Sequence, residues 1–256
     1  MTDAGHLPLE LAHCVSTSAR LSVAPDTVHL WICSLDAGQS DIARCHSLLD
    51  SAESSRAACF RNDTDRMRFV AGRALMRSLL SAYAGIAPQA LRFEYGHAGK
   101  PALTVTGAEA SIEFNYSRSN GIGALAIGIH SLGVDIERCD PVVDYAAVAR
   151  LCFSASELEA LEQRSLNNRL ECFFRYWVAK EAILKGQGSG LQVDLRQLSV
   201  ALSKDESTGW IERCRADIME GGWRVKFRAA HPGWRGAVAS PGEQWEVVSA
   251  ERRWLR

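Results

Sequence analysis

In Gly133-Val134-Asp135-Ile136-Glu137, apolar and acidic residues alternate. On a strand this period sends Val134 and Ile136 to one face and both carboxylates to the other. Adjacent acids repel and raise each other's pKa unless a cation joins them, and hard oxygen ligands of this kind suit Mg²⁺ bound to a substrate phosphate. Asp-x-Glu alone is also what a solvated strand face presents.

A second group lies in Phe173 to Leu191, around Trp177-Val178-Ala179-Lys180-Glu181-Ala182-Ile183-Leu184-Lys185. Glu181 and Lys185 are four residues apart and share a helical stripe, as an ordinary surface ion pair would. Phe173, Phe174, Tyr176, Trp177, Val178, Ile183 and Leu184 occupy most of the circumference, which predicts a buried helix. Lys180 falls between Phe173 and Leu184, and a buried cation needs a ligand phosphate or a carboxylate as counter-charge. An acid on this helix facing Asp135 and Glu137 would complete a metal site.

Two further segments supply cations. Gly99-Lys100-Pro101 predicts a turn carrying an exposed lysine able to meet phosphate; a plain turn has the same composition, and no Walker pattern is present. Phe114-Asn115-Tyr116-Ser117-Arg118-Ser119 reads as a strand ending in small polar residues. The planar fork of Arg118 suits phosphate oxygens, with Ser117 as an additional donor.

The elements that must position these groups follow from periodicity. Val28 to Leu35 reads as a first buried strand, followed by a polar helix-compatible stretch to about Phe60. A helix over about Asp65 to Ala84, capped by Asn62 or Asp63 and closed at Gly85, carries Arg66, Arg73 and Arg77 within about 40° of one another. Strands are predicted at Leu91 to Tyr95, Ala102 to Val105, Ser111 to Tyr116, Ile122 to Ile129 and Leu132 to Glu137. Helical segments follow at Tyr145 to Leu151, Ser156 to Gln163 and Leu170 to Lys185, stopped by glycines 186, 188 and 190. The remainder alternates as strands, including Trp223 to Ala229, Trp234 to Ala239 and Glu243 to Val248, with a polar turn at Ser203 to Gly209. Both halves mix strands and helices about a boundary near Ser131, which points to two similar α/β modules.

The 256 residues are 47% hydrophobic, enough for a sizeable core. A net charge of −1 argues against nucleic acid as a partner. The eight cysteines, scattered without metal-ligand spacing, read as reduced thiols. Met1 to Leu11 lacks the layout of a secretory signal, and no apolar run approaches the roughly 20 residues of a membrane span. A soluble cytoplasmic protein with no membrane partner is expected.

In order, GKP, FNYSRS, LGVDIER and FRYWVAKEAILKGQGSGL resemble the signature of the Sfp-type 4'-phosphopantetheinyl transferases. The likeness is strongest from Gly99 to Leu191, and weaker over Glu53 to Phe60 and Arg66 to Arg77. It implies an α/β (α+β) fold of two pseudo-symmetric subdomains, 1–130 and 131–256, with the active site at their junction in a monomer. It implies transfer of 4'-phosphopantetheine from coenzyme A to a serine of an apo-acyl or peptidyl carrier protein, with Mg²⁺. The family's metal acids carry over to Asp135, Glu137 and Glu181, with Glu181 as general base and Lys185 and Asp135 in the catalytic set. Its coenzyme A contacts carry over to Arg56, Lys100, Ser117, Arg118 and Lys185. Arg73 is a further candidate from the arginine stripe. Many relatives carry histidine where Arg118 stands; arginine keeps a phosphate contact but not histidine's neutral-range titration.

Overall fold

The computed structural model describes residues 14, 20–36, 38–97, 99–104, 112–188, 193–214, 222–229 and 231–250. Met1 to Leu11, Val105, Ser111 and Ser189 to Leu191 of the predicted features lie outside the described residues.

Strand β1 (Thr27–Ser34) opens the first half and is followed by α1 (Gln39–His46), α2 (Ser51–Ala58) and α3 (Asp63–Ala84). The polar stretch predicted before Phe60 is thus two short helices. The hairpin β2 (Arg92–Tyr95) and β3 (Pro101–Thr104) precedes β4 (Glu113–Ser119) and β5 (Ile122–Gly128). The second half repeats the series: β6 (Gly133–Arg138), α4 (Tyr145–Cys152), α5 (Ala155–Glu162), α6 (Leu166–Gln187), the hairpin β7 (Leu198–Leu202) and β8 (Thr208–Cys214), then β9 (Trp223–Arg228) and β10 (Trp234–Pro241). A last strand, β11 (Glu246–Ser249), follows.

The repetition extends to the sheets. One has the order β11-β1-β5-β4 and the other β6-β10-β9-β8-β7, so in each half the opening strand pairs antiparallel with the closing strand, which pairs with the one before it. β11 runs parallel to β1 and joins the first half's sheet, so the chain crosses back over the boundary near residue 131. Alternation along the strands sorts the core. Trp31 and Cys33 of β1 pack with α3, and Phe173, Val178 and Ala182 of α6 pack with Ala237 and Ala239 of β10. Leu30, Ala124, Val134, Ile136 and Val238, from both sheets, form a third cluster. That apolar contact, at roughly 1.5–3 kcal/mol per buried aliphatic side chain, holds the halves together.

Each half also contains the same polar device. Helices α2 and α5 both start with a capping box, Asp50 with Glu53 and Ser154 with Glu157. Both N3 glutamates are buried and pair with a cation on the long helix, fourteen residues from its start in each case: Arg77 on α3 and Lys180 on α6. Arg77 Nε donates to Glu53 at 2.6 Å and its other nitrogens reach Asp50 and the Pro88 carbonyl. Lys180 lies 2.6 Å from Glu157 and donates to the carbonyls of Cys152 and Leu195 at 2.9 and 2.8 Å. Burial pushes the Glu157 carboxyl up and the Lys180 ammonium down, each opposed by its partner's charge. Lys180 therefore uses a carboxylate as its counter-charge, and it braces α5 against α6 instead of facing a ligand.

Lys180→Met leaves Glu157 buried and unpaired. It should cost about 3–5 kcal/mol in urea denaturation, and a further Glu157→Gln change should recover part of that loss.

Candidate active site

The first half's sheet ends on β4 and the second half's on β6, and these two edge strands are stitched by side chains. On β4, Phe114 and Tyr116 turn to the α3 core while Asn115, Ser117 and Ser119, at alternate positions, reach β6. Asn115 Oδ1 accepts from Val134 N–H at 2.9 Å, and Ser117 Oγ and Ser119 Oγ donate to Asp135 Oδ1 and Glu137 Oε2, both at 2.8 Å. An edge strand left with open backbone donors would invite stray pairing; here neighbouring side chains occupy it.

Helix α6 closes the site. Gly133 packs so tightly on it that a Cβ would overlap the Ala182 carbonyl oxygen and the Gly186 nitrogen. That approach sets Lys185 Nζ 2.5 Å from Asp135 Oδ1 and 3.1 Å from Ser117 Oγ. The predicted alternation holds, with Val134 and Ile136 in the apolar cluster between the sheets and Asp135 and Glu137 on the other side. Asp135 is only 1% exposed, and among the described residues its Oδ2 has no hydrogen-bond partner; neither has Glu181 Oε1.

The electrostatics show which acids bear on one another. Burial, then the Asp135 charge, pushes the Glu137 carboxyl up to about 7, with Glu181 adding to the rise and Ser119 and Lys185 opposing it. Burial also raises Glu181, with Lys185 opposing and Asp135 adding. Among the described residues, no three acids, histidines or cysteines stand close enough together to hold an ion as they are. Lys185 lies against Asp135, and Ser119 engages Glu137. The donor chemistry nevertheless fits a hard divalent cation: burial and the neighbouring Asp135 charge raise Glu137 and Glu181, and among the described residues Asp135 Oδ2 and Glu181 Oε1 find no donor.

The remaining predicted residues fall differently. Arg118 is exposed at the end of β4, beside Ser117. Lys100, expected to be exposed, is half-buried: its ammonium donates to the carbonyls of Gly186 at 2.7 Å and Leu132 at 3.2 Å, because the hairpin folds its turn over the end of α6. Arg56 is exposed on α2, and among the described residues no side-chain hydrogen bond or ion pair joins it to the seam. Arg73 is 2.7 Å from Glu53 and donates to the Tyr95 hydroxyl at 2.6 Å. The arginine stripe is therefore largely committed internally, with Arg77 fully buried and Arg66 paired with Asp63.

Asn115 and Ser119 were missed from sequence, although the polar residues at every second position of β4 were visible. Glu53 and Glu157 were missed as partners of Arg77 and Lys180, despite their capping-box spacing. The second half holds the acids alone: by distance from the helix start, α3 has Ser78 and Ala82 where α6 has Glu181 and Lys185.

The family profile described as the 4'-phosphopantetheinyl transferase superfamily matches residues 131–221, and one described as the N-terminal part of 4'-phosphopantetheinyl transferase matches residues 36–128. The chain is 35% identical over 187 residues to the 4'-phosphopantetheinyl transferase HetI of Nostoc sp., covering 73% of this chain and 78% of that protein. It is 32% identical over 170 residues to a putative 4'-phosphopantetheinyl transferase of Synechocystis sp., covering 66% and 68%. It is 26% identical over 204 residues to the 4'-phosphopantetheinyl transferase Sfp of Bacillus subtilis, covering 76% and 88%. The chain belongs to the 4'-phosphopantetheinyl transferases, in their Sfp-type branch. The two tandem profiles correspond to the two α/β halves. No helix among the described residues is long and apolar enough to cross a membrane.

Gly133→Ala should force β6 off α6, at about 1–3 kcal/mol or more in urea denaturation. Gly222→Ala, with nothing within 4 Å of its added methyl, should stay within about 0.5 kcal/mol of the parent.

Proposed function

We propose that this protein transfers the 4'-phosphopantetheine arm of coenzyme A to a serine hydroxyl of an apo carrier protein and releases 3',5'-ADP. The observation that carries this reading is the seam itself: a buried acid, Asp135, bracketed by a lysine and a serine, beside a second and a third acid with raised pKa values. Cations and hydroxyl donors there suit a pyrophosphate, and the acids suit its metal ion.

Asp135, Glu137 and Glu181 would hold Mg²⁺, which when bound offsets negative charge on the phosphate oxygens. The protein's own groups account for the rest. Lys185 and the exposed guanidinium of Arg118 bind phosphate oxygens and orient the pyrophosphate, with Ser117 as a hydroxyl donor between them. Lys100 joins them by leaving the Leu132 and Gly186 carbonyls. Arg56 is free to reach an outer phosphate of the nucleotide; Arg73, held by Glu53 and Tyr95, is left out of the set.

The carrier serine oxygen attacks the β-phosphorus, and a new P–O bond forms as the bond to 3',5'-ADP breaks. Glu181 receives the serine proton directly or through a water: its carboxylate is largely buried, its pKa is raised, and among the described residues Oε1 has no donor. The same reading takes the protein as a cytoplasmic monomer acting on carriers of fatty-acid, polyketide or peptide-synthetase type.

Incubation with coenzyme A, Mg²⁺ and a panel of apo carrier proteins should give a phosphopantetheine-sized mass gain on one carrier serine. No gain on any carrier would refute the reading. Glu181→Gln should lower kcat by roughly 10²–10⁴-fold while coenzyme A still binds; full activity would remove Glu181 as the base. Arg118→Ala should weaken coenzyme A binding by about tenfold or more, the scale of a charge-assisted hydrogen bond, with a smaller loss at saturation. Unchanged affinity in calorimetry would take Arg118 out of the site.

A further inference from the structure

Asp135 is 1% exposed, and a carboxylate so deeply placed needs a compensating charge. Among the described residues, the cation that supplies it is Lys185, with Nζ 2.5 Å from Oδ1 and its side chain 31% exposed. Ser117 Oγ lies within hydrogen-bonding distance of both partners, at 2.8 Å from Asp135 and 3.1 Å from Lys185. The contact thus joins a fixed acid to a movable base. Asp135 sits on a strand held by β10 and β4, whereas the lysine is attached through four methylenes near the end of α6 and reaches solvent.

A second cation brought against the same carboxylate would meet the ammonium at short range, and like charges in a desolvated site repel strongly. We infer that Lys185 is the resident counter-ion of Asp135, and that a divalent cation gains full access to the site only when the pyrophosphate of coenzyme A draws the ammonium away. The inference rests on the function proposed above and adds an order of loading to it. Cation alone binds weakly; cation and coenzyme A bind together. Lys185 then has a positioning role in the empty enzyme, distinct from its phosphate contact in the loaded one.

The test is Mn²⁺ binding to the full chain, followed by electron paramagnetic resonance with and without coenzyme A. The parent should bind Mn²⁺ about tenfold or more tighter with coenzyme A present, and by linkage Mn²⁺ should tighten coenzyme A by the same factor. Lys185→Met, checked for folding by its thermal melt, should bind Mn²⁺ about tenfold tighter than the parent in the absence of coenzyme A and lose most of the coenzyme A-dependent gain. Lys185→Arg should remain weak alone. Arg196→Met removes an exposed charge paired with Asp194, outside the site, and should leave Mn²⁺ affinity without coenzyme A within about twofold of the parent, a bound well inside tenfold. Equal Mn²⁺ affinity in the parent with and without coenzyme A, or unchanged affinity in folded Lys185→Met, overturns the inference. A carrier mass gain from the same parent preparation separates the two levels: transfer with coenzyme A-independent Mn²⁺ binding defeats the order of loading alone, whereas absence of transfer defeats the function on which it rests.

Discussion

The contact between β4 and β6 is made by side chains, not by a backbone ladder, and the remaining features of the site depend on it. Asn115 occupies a free backbone donor of β6, and Ser117 and Ser119 take one acid each. Had the two edges paired as strands, their separation would be set near 4.8 Å by the ladder, leaving no gap for side-chain chemistry. Serines and an asparagine keep the strands apart and still satisfy their polar groups, so a polar slot survives inside an otherwise apolar junction. The cost of sinking Asp135 into that slot is offset by Lys185, which the close approach of Gly133 to α6 brings within reach.

The two halves share a plan but not an active site. Both use a capping-box glutamate and a long-helix cation to lock a short helix against a long one. Where the second half then places Glu181 and Lys185, the first has Ser78 and Ala82, and its α3-facing β1 residues Trp31 and Cys33 are apolar. Architecture is therefore duplicated while charge is not. The first half provides a floor and three hydroxyl or amide groups; the second provides the carboxylates.

Much of this was legible in the chain. Alternation in Val134-Asp135-Ile136-Glu137 placed the two acids on one face, and the apolar girth of Phe173 to Leu184 predicted a buried helix, which runs as α6 to Gln187. The arginine stripe and Lys180 misled in one respect: helical angle reports direction along one element, whereas the partner of a buried charge comes from another. Nothing local to Lys180 names Glu157, and nothing local to Lys100 says that its hairpin folds over the end of α6. For the same reason β11 could be read as a strand but not as the parallel neighbour of β1, a pairing made across more than two hundred residues.

That last pairing bears on how the protein can be divided. Cutting between the halves near residue 131 would strip β11 from β1 and leave the first fragment with a bare row of backbone donors and acceptors on a strand that normally has neighbours on both sides. The second fragment would carry a short orphan strand with nothing to extend. The halves look like modules on a topology diagram, yet the closing strand acts as a buckle, so reassembly from fragments would require each piece to supply an edge that the other lacks.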